Sequence, residues 1–287
     1  MKKKILITGA RGFFGTRFIN RYRNEFDILG LDVEQLDITN KSAVDTTFAE
    51  FKPDFVIHAA AIAVTDFCNQ HPDIAHKVNV QGAINVANAC KANGSKLVFI
   101  STEQVFNGNI EAGPYSEQDT PVPDTVYGQN KLEAEGELRS ILEDMWILRF
   151  TWLFGLPERN TTINPNVVWN AMQALTNGEV MQERRNEFRG LTYVHELIEQ
   201  FPKIFTIPYG TYHRGANNPA SRYEIAEHIL TELGQQSRLD HLLQVNDARK
   251  TRDVRLNTNK LAGQGVVFTE SKAAITKCLQ EFHYISA

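Results

Sequence analysis

Two residues with the means to move a proton stand four apart, Tyr127 and Lys131, in the run Val126-Tyr-Gly-Gln-Asn-Lys131. The stretch Asp124 to Leu142 reads as a helix, so both side chains leave one face. A free phenol titrates near pH 10, too high to exchange a proton readily at neutrality. An ammonium group one turn away stabilises the phenolate and is expected to lower that value. By itself the spacing is equally that of an ordinary solvated helix face. Its significance comes from what precedes it. Ser101-Thr-Glu-Gln-Val-Phe106 brings two hydroxyls to the end of an apolar run, Lys96 to Ile100. His58-Ala-Ala-Ala61 ends another, Asp54 to His58, with small residues against which a flat ligand can lie.

Further upstream, Thr8-Gly-Ala-Arg-Gly-Phe-Phe-Gly15 spaces Gly9, Gly12 and Gly15 as G-x-x-G-x-x-G. Glycines there permit a tight turn and close approach of a pyrophosphate, and the following helix offers free amides and its positive dipole end. Phe13 and Phe14 of the same loop are also expected to contact the cofactor. The expected cofactor is a dinucleotide, NADP or NAD. Asp32, 20 residues past Gly12, can accept from an adenosine ribose, which favours NAD. Arg11 can face a 2′-phosphate, which favours NADP, or can be a solvated loop charge. Asp37 can flank the adenine or belong to the start of the next helix, whose cap is Thr39 or Asn40.

Positioning these groups requires a particular set of elements. Strands are expected at Lys4–Thr8, Phe26–Leu31, Asp54–His58, Lys96–Ile100 and Met145–Phe150. Helices are expected at Gly12–Arg23, Lys41–Phe51, Asp73–Ala92 and Asp124–Leu142. Apolar strands without strict alternation suit a sheet buried on both faces. Alternating strand and helix imply an α/β fold, a Rossmann-type doubly wound parallel sheet with a smaller C-terminal substrate lobe. The strand ends then converge on one crevice. Residues 1–155 are expected to form the dinucleotide-binding domain, with a return segment near 191–215, and 156–287 mainly the substrate lobe. Later helices are expected at Val167–Thr176, His195–Phe205, Arg222–Leu233 and Ser271–Phe282, with a short strand at Thr211–Gly215.

Composition sets outer bounds. The chain has 287 residues, 42% hydrophobic and 22% charged, as in ordinary globular proteins. A net charge of -4 gives no reason to expect nucleic acid or an anionic membrane as partner. The basic Lys2-Lys-Lys4 is followed by too short an apolar run for a signal peptide. No segment approaches the ~20 apolar residues that span a bilayer. Cys68, Cys90 and Cys278 are odd in number and lack metal-ligand spacing, so idle thiols in a reducing cytoplasm are expected, and no metal site.

On Thr8–Gly15, His58–Ala61, Asn79-Val80, Ser101-Thr102 and Tyr127 with Lys131, the chain resembles the extended short-chain dehydrogenase/reductase superfamily. It looks most like the dTDP-4-dehydrorhamnose reductase group, on Ser101–Gly108, Pro123–Lys131, Leu148–Phe154 and Arg252–Thr258. The resemblance implies that Tyr127 protonates a substrate carbonyl as hydride arrives from the nicotinamide. It implies that Lys131 assists and contacts the nicotinamide ribose, that Thr102 hydrogen-bonds the same oxygen, and that Ala59, Ala60 and Ala61 line the cofactor. The implied substrate is a 4-keto sugar nucleotide in deoxysugar and polysaccharide synthesis, and the implied assembly a homodimer. A sugar-nucleotide epimerase or dehydratase, and a non-catalytic NADP-binding regulatory subunit, are the alternatives.

Two departures bear on the sugar. Glu103-Gln104 stands where these reductases usually carry Asp-Tyr, and Lys250-Thr251-Arg252 replaces an Arg-Pro. Gln104, Arg252 and Arg255 are therefore the expected substrate contacts, beside Thr102. Arg184, Arg185 and Arg189 are further candidates for the pyrophosphate, each equally read as a surface charge. Trp152 and Trp169 can be core or a stacking surface. His195 is expected to be structural or near the cofactor, and Asn79 either supports the site or satisfies buried backbone groups.

Overall fold

The structure, a computed structural model, describes residues 2–286. In its first half β1 (Lys4–Thr8), α1 (Phe13–Tyr22), β2 (Asp27–Leu31), α2 (Lys41–Phe51) and β3 (Phe55–His58) alternate as expected. Short helices α3 (Thr65–Gln70) and α4 (Pro72–His76), then α5 (Ala83–Asn93), β4 (Lys96–Thr102), α6 (Val126–Ile141) and β5 (Met145–Phe150), complete the alternation. The later chain adds β6 (Trp152–Phe154), α7 (Val167–Asn177), β7 (Met181–Glu183), β8 (Glu187–Phe188), β9 (Leu191–Tyr193), α8 (Val194–Glu199) and β10 (Gly210–Arg214). After these come α9 (Arg222–Glu232), α10 (Leu239–Leu242), β11 (Leu243–Val245), β12 (Arg252–Asp253), α11 (Asn259–Ala262) and α12 (Ser271–Glu281).

Six parallel strands form one sheet in the order β2-β1-β3-β4-β5-β10. Strand order reverses between β1 and β3, which opens a crevice at their carboxyl ends. The inner strands bury both faces, as their unbroken apolar runs require. One face packs Phe14, Phe18, Leu197 and Phe201 from α1, α8 and the turn after α8. The other packs Val44, Val86 and Leu138 from α2, α5 and α6. A separate core around Phe154, Val168, Ile225, Ile229 and Ile275 joins β6, α7, α9 and α12.

Two helices differ from the pattern read in the sequence. The helix expected over Asp73–Ala92 runs from Pro72 to Asn93 but passes through a π-helical stretch, Lys77–Gly82. Periodicity cannot register one extra residue per turn. The helix expected over His195–Phe205 stops at Glu199 and continues as 3₁₀ turns, Phe201–Thr206. Pro202 disfavours helical geometry in the residue before it and lacks an amide for the helical ladder.

Candidate active site

The catalytic candidates come together where β4 meets the start of α6. Thr102 ends β4, and its Oγ1 accepts the Gln104 amide at 3.2 Å, capping the turn Glu103–Phe106. Thr125 caps α6 by accepting the Gly128 amide at 3.2 Å. A Cβ at residue 128 would fall 2.6 Å from the Gln104 carbonyl, so glycine lets α6 approach this turn closely. Tyr127, Lys131 and Thr102 are all buried.

Burial changes the proton chemistry expected of the pair. The Tyr127 phenol is pushed above its ordinary value, first by desolvation and then by nearby Cys68 and Glu103. A hydrogen bond with the Thr102 side chain opposes that rise. The expectation that the phenol lies below its ordinary value is thus corrected: loss of solvent dominates and raises it. Lys131 is itself lowered to about 7 by burial, against the pull of Glu135. Its Nζ lies 4.1 Å from the centre of the Phe99 ring. Glu103, buried beside Arg189, is raised to about 7 by desolvation, which the charges of Arg189 and Arg252 oppose.

The glycine loop fits a dinucleotide. Gly9 has φ +71°, and a Cβ there would fall 2.8 Å from the Ala60 amide nitrogen. At Gly9 the loop therefore packs on the Ala59–Ala60 backbone with no room for a side chain. No side chain caps the start of α1 at Gly12, whereas α2, α6, α7 and α9 are capped by Asn40, Thr125, Asn166 and Ser221. Its first amides are left for an anionic ligand. Phe13 and Phe14 turn into the core, which corrects the expectation that their side chains contact the cofactor: burial against the sheet outweighs it. Just after β2, Asp32 accepts the Arg11 amide at 3.0 Å and the Val33 amide at 2.9 Å. The Arg11 guanidinium pairs with Glu34, so its charge is partly neutralised. Asp37 accepts the Thr39 amide at 2.9 Å and hydroxyl at 2.8 Å, a local turn, while Asn40 caps α2.

Beyond the sheet edge the arginines are engaged by acids. Arg255 forks onto Asp253 at 2.9 and 2.6 Å, which cancels much of its charge. Arg252, Arg184, Arg189 and Arg222 surround Glu187 at 3.9, 3.2, 3.0 and 3.7 Å. Arg189 and Arg222 also lie 4.7 and 5.4 Å from the centre of the Trp152 ring. Arg185 stacks on Tyr223, and Trp169 packs against the second core. Gln104 Oε1 lies 3.5 Å from both Thr65 Oγ1 and Asn107 Nδ2. A cavity of about 350 Å³ is lined by Pro114, Gly190, Ala216, Asn217, Asn218, Pro219, Arg255 and Leu256. A cavity of about 530 Å³ lies at the opposite end of the sheet, by Lys4 and Asp27, away from this chemistry. His195 Nε2 bonds Glu158 at 3.0 Å, and among the described residues no acid, cysteine and histidine cluster could hold a metal.

Residues 2–284 match the family described as the RmlD substrate binding domain. The chain belongs to this family. It is 32% identical over 252 residues to the dTDP-4-dehydrorhamnose reductase of Aggregatibacter actinomycetemcomitans, covering 85% of this chain and 83% of that one. It is 29% identical over 235 residues to the spore coat polysaccharide biosynthesis protein SpsK of Bacillus subtilis, covering 82% and 81%. The crystal structure of dTDP-4-dehydrorhamnose reductase from Bacillus anthracis in complex with NADP superposes with a TM-score of 0.86 at 28% identity, covering 98% and 99%.

For this RmlD-family chain, the tertiary structure also brings forward residues that the sequence reading passed over. Glu135, Arg149 and His213 form a buried polar chain behind Lys131. Arg17 of α1 bonds Glu158 at 2.7 Å and the Leu156 and Thr162 carbonyls, pinning the segment after β6 beside Phe13. Two signals were present: Glu135 continues the four-residue spacing of Tyr127 and Lys131, and Arg149 interrupts an apolar strand. Asn79 sits in the π stretch, accepts the Ile62 amide at 2.8 Å and donates to the Ile62 carbonyl at 3.0 Å. It thereby fixes the backbone just after Ala59–Ala61.

Proposed function

We propose that the protein is an NAD(P)H-dependent reductase of a 4-keto sugar nucleotide, of the dTDP-4-dehydrorhamnose class, serving deoxysugar and polysaccharide synthesis. One observation carries this reading: the Thr102–Tyr127 pair, with Lys131, stands at the sheet edge that also bears the glycine loop. In this reading residues 1–155, with the return segment 191–215, hold the cofactor. Residues 156–287 mainly hold the sugar nucleotide. The protein works in the cytoplasm as a homodimer.

Gly9, Gly12, Gly15 and the first amides of α1 hold the pyrophosphate, and Ala59–Ala61 line the cofactor. Asp32 and Arg11 reach the adenosine ribose. When bound, the reduced nicotinamide supplies hydride to the carbonyl carbon. Tyr127 gives its Oη proton to the carbonyl oxygen, so that ketone, hydride and proton sum to an alcohol. A phenol raised by burial is fully protonated at neutral pH and thus loaded as a donor. Thr102 Oγ1 hydrogen-bonds the same oxygen as charge develops on it, and Lys131 stabilises the phenolate left behind. Gln104 and Arg252 contact the sugar nucleotide, with Arg255 beside them.

The test is incubation of the purified protein with NADPH or NADH and dTDP-4-dehydrorhamnose. The expected result is oxidation of the cofactor with formation of the 4-hydroxy sugar. No turnover with this or related keto sugars would sink the reading, and tightly held NAD recycled without net oxidation would indicate an epimerase. Tyr127→Phe is expected to lower kcat by roughly 10²- to 10⁴-fold with cofactor binding retained. A wild-type protein that binds cofactor and tunes a partner, indifferent to this substitution, would be a regulatory subunit.

A further inference from the structure

Helix α6 carries a third polar residue on the face of Tyr127 and Lys131. Glu135 lies one turn beyond Lys131 and is wholly buried. Its Oε1 accepts the Ser101 hydroxyl at 2.6 Å and Arg149 Nε at 3.0 Å. Its Oε2 accepts Arg149 Nη2 at 2.7 Å and Arg139 Nη2 at 3.4 Å. The chain of contacts runs on, with Arg149 Nη1 3.3 Å from His213 Nε2 and His213 Nδ1 3.0 Å from the Tyr115 carbonyl. Burial and the Arg149 charge lower His213 to about 3, so it is neutral, donating from Nδ1 and accepting at Nε2. Tyr115 is in turn bonded through its backbone to Arg255 and Asn257.

A fully buried ion pair is a poor source of stability, because desolvation offsets most of its attraction. What this one does supply is geometry. Ser101 immediately precedes Thr102 on β4, so a carboxylate anchored on α6 that bonds Ser101 fixes the register of the strand end against the helix. The same carboxylate supports the charge of Lys131 against the burial that lowers it. From β3, His58 faces Lys131 and is lowered to about 3, largely by burial, so it is neutral and adds no charge. From β4, Lys131 meets the Phe99 ring.

We propose that Glu135 is a positioning residue of the proton-transfer set: through Ser101 it sets Thr102 against Tyr127, and it supplies the counter-charge to the Lys131 ammonium. The inference rests on the reductase reading above and deepens it. Glu135→Gln keeps the size and the Ser101 contact but removes the charge. It is expected to lower kcat by roughly 10- to 100-fold, the scale on which misplaced groups act, with the KM for cofactor changed much less. Ser101→Ala leaves the ion pair intact, cuts the tie to β4, and is expected to lower kcat by about 3- to 10-fold.

The titration of Lys131, followed by NMR of protein carrying ¹³Cε-labelled lysine, gives a readout independent of turnover. Its midpoint is expected to fall in Glu135→Gln and to stay in place in Ser101→Ala. A folded Glu135→Gln protein with the wild-type kcat and an unmoved Lys131 midpoint overturns the proposal. If Glu135→Gln does not fold, Glu135→Asp keeps the charge and shortens its reach to Ser101, and a folded Glu135→Asp protein with the wild-type kcat overturns the proposal equally. A wild-type protein that reduces no keto sugar sinks the reductase reading instead, and the Lys131 midpoint still decides the role of Glu135.

Discussion

At Lys131 the competition between burial and charge has a measurable outcome. Its ammonium titrates at about 7, so it is charged below that pH and neutral above it. The cation is the form that stabilises a phenolate. The second-order rate constant for the reduced cofactor, which reports the free protein, is therefore expected to fall as pH rises through about 7. Glu103 acts in the same direction, since it too titrates at about 7 and its negative form holds the Tyr127 proton more tightly. Lys131→Arg stays cationic throughout and is expected to flatten the limb, at a lower maximum, because a planar guanidinium does not reproduce the point charge of an ammonium. A limb that is unchanged in Lys131→Arg would assign the titration to Glu103. Tyr127 and Lys131 were legible because a four-residue spacing is local. Their proton affinities were not, because desolvation depends on neighbours from β3 and β4 that are distant in sequence.

Asn79 shows what an element contributes beyond its length. The π stretch Lys77–Gly82 inserts one residue into the helix between Pro72 and Asn93, and Asn79 within it grips both backbone polar groups of Ile62. Such interruptions of α-helices often serve sites. Asn79→Ala leaves that amide and carbonyl without partners and is expected to cost roughly 1–3 kcal/mol of stability, read by denaturant unfolding. The KM for cofactor is expected to rise with it, because Ala59–Ala61 lose their anchor. The helix itself was readable, as the stretch Asp73–Ala92. The π stretch was not, since no residue type specifies it. The small pairings β6–β9, β7–β11 and β8–β12 escaped for a related reason. Strands of two or three residues carry no periodicity, and their partners lie as far as 65 residues away, as with Phe188 and Asp253.

Across the whole molecule, β10 ties the late chain back to the sheet, and its last residue, Arg214, is wholly buried. Nη2 donates to the Leu197 carbonyl at 2.7 Å, and the guanidinium stacks on Phe201, but Nε and Nη1 have no partner among the described residues. Desolvation lowers Arg214 to about 9. The unfolded chain holds this proton to a higher pH than the folded one, so stability from this group rises with pH above about 9 and is reduced below. Arg214→Met removes the buried charge, keeps most of the volume, and is expected to raise the Tm at pH 7 by about 2–4 °C for each kcal/mol gained. Calorimetry checks this, and a lower Tm would mean that the Leu197 bond outweighs the desolvation.

That the sheet is parallel and doubly wound follows from a sequence in which apolar runs alternate with amphipathic ones, because right-handed crossovers leave few other arrangements, whereas the order of its six strands was decided by the fold. The glycine loop, Thr102 and Tyr127 with Lys131 were likewise determined by sequence alone. Each is short, and each is tied to a strand end that the topology sends to one edge. The tertiary structure decided everything that depends on which distant side chains share a low-dielectric space. It neutralised Arg255 with Asp253 and Arg11 with Glu34, set Arg252 among arginines around Glu187, raised Tyr127 and lowered Lys131. It also placed Glu135 between Ser101 and Arg149. The physical reason is one of range. Backbone preference and hydrophobic period act within a few residues, whereas charge and desolvation act through space, between groups that only the folded sheet brings together.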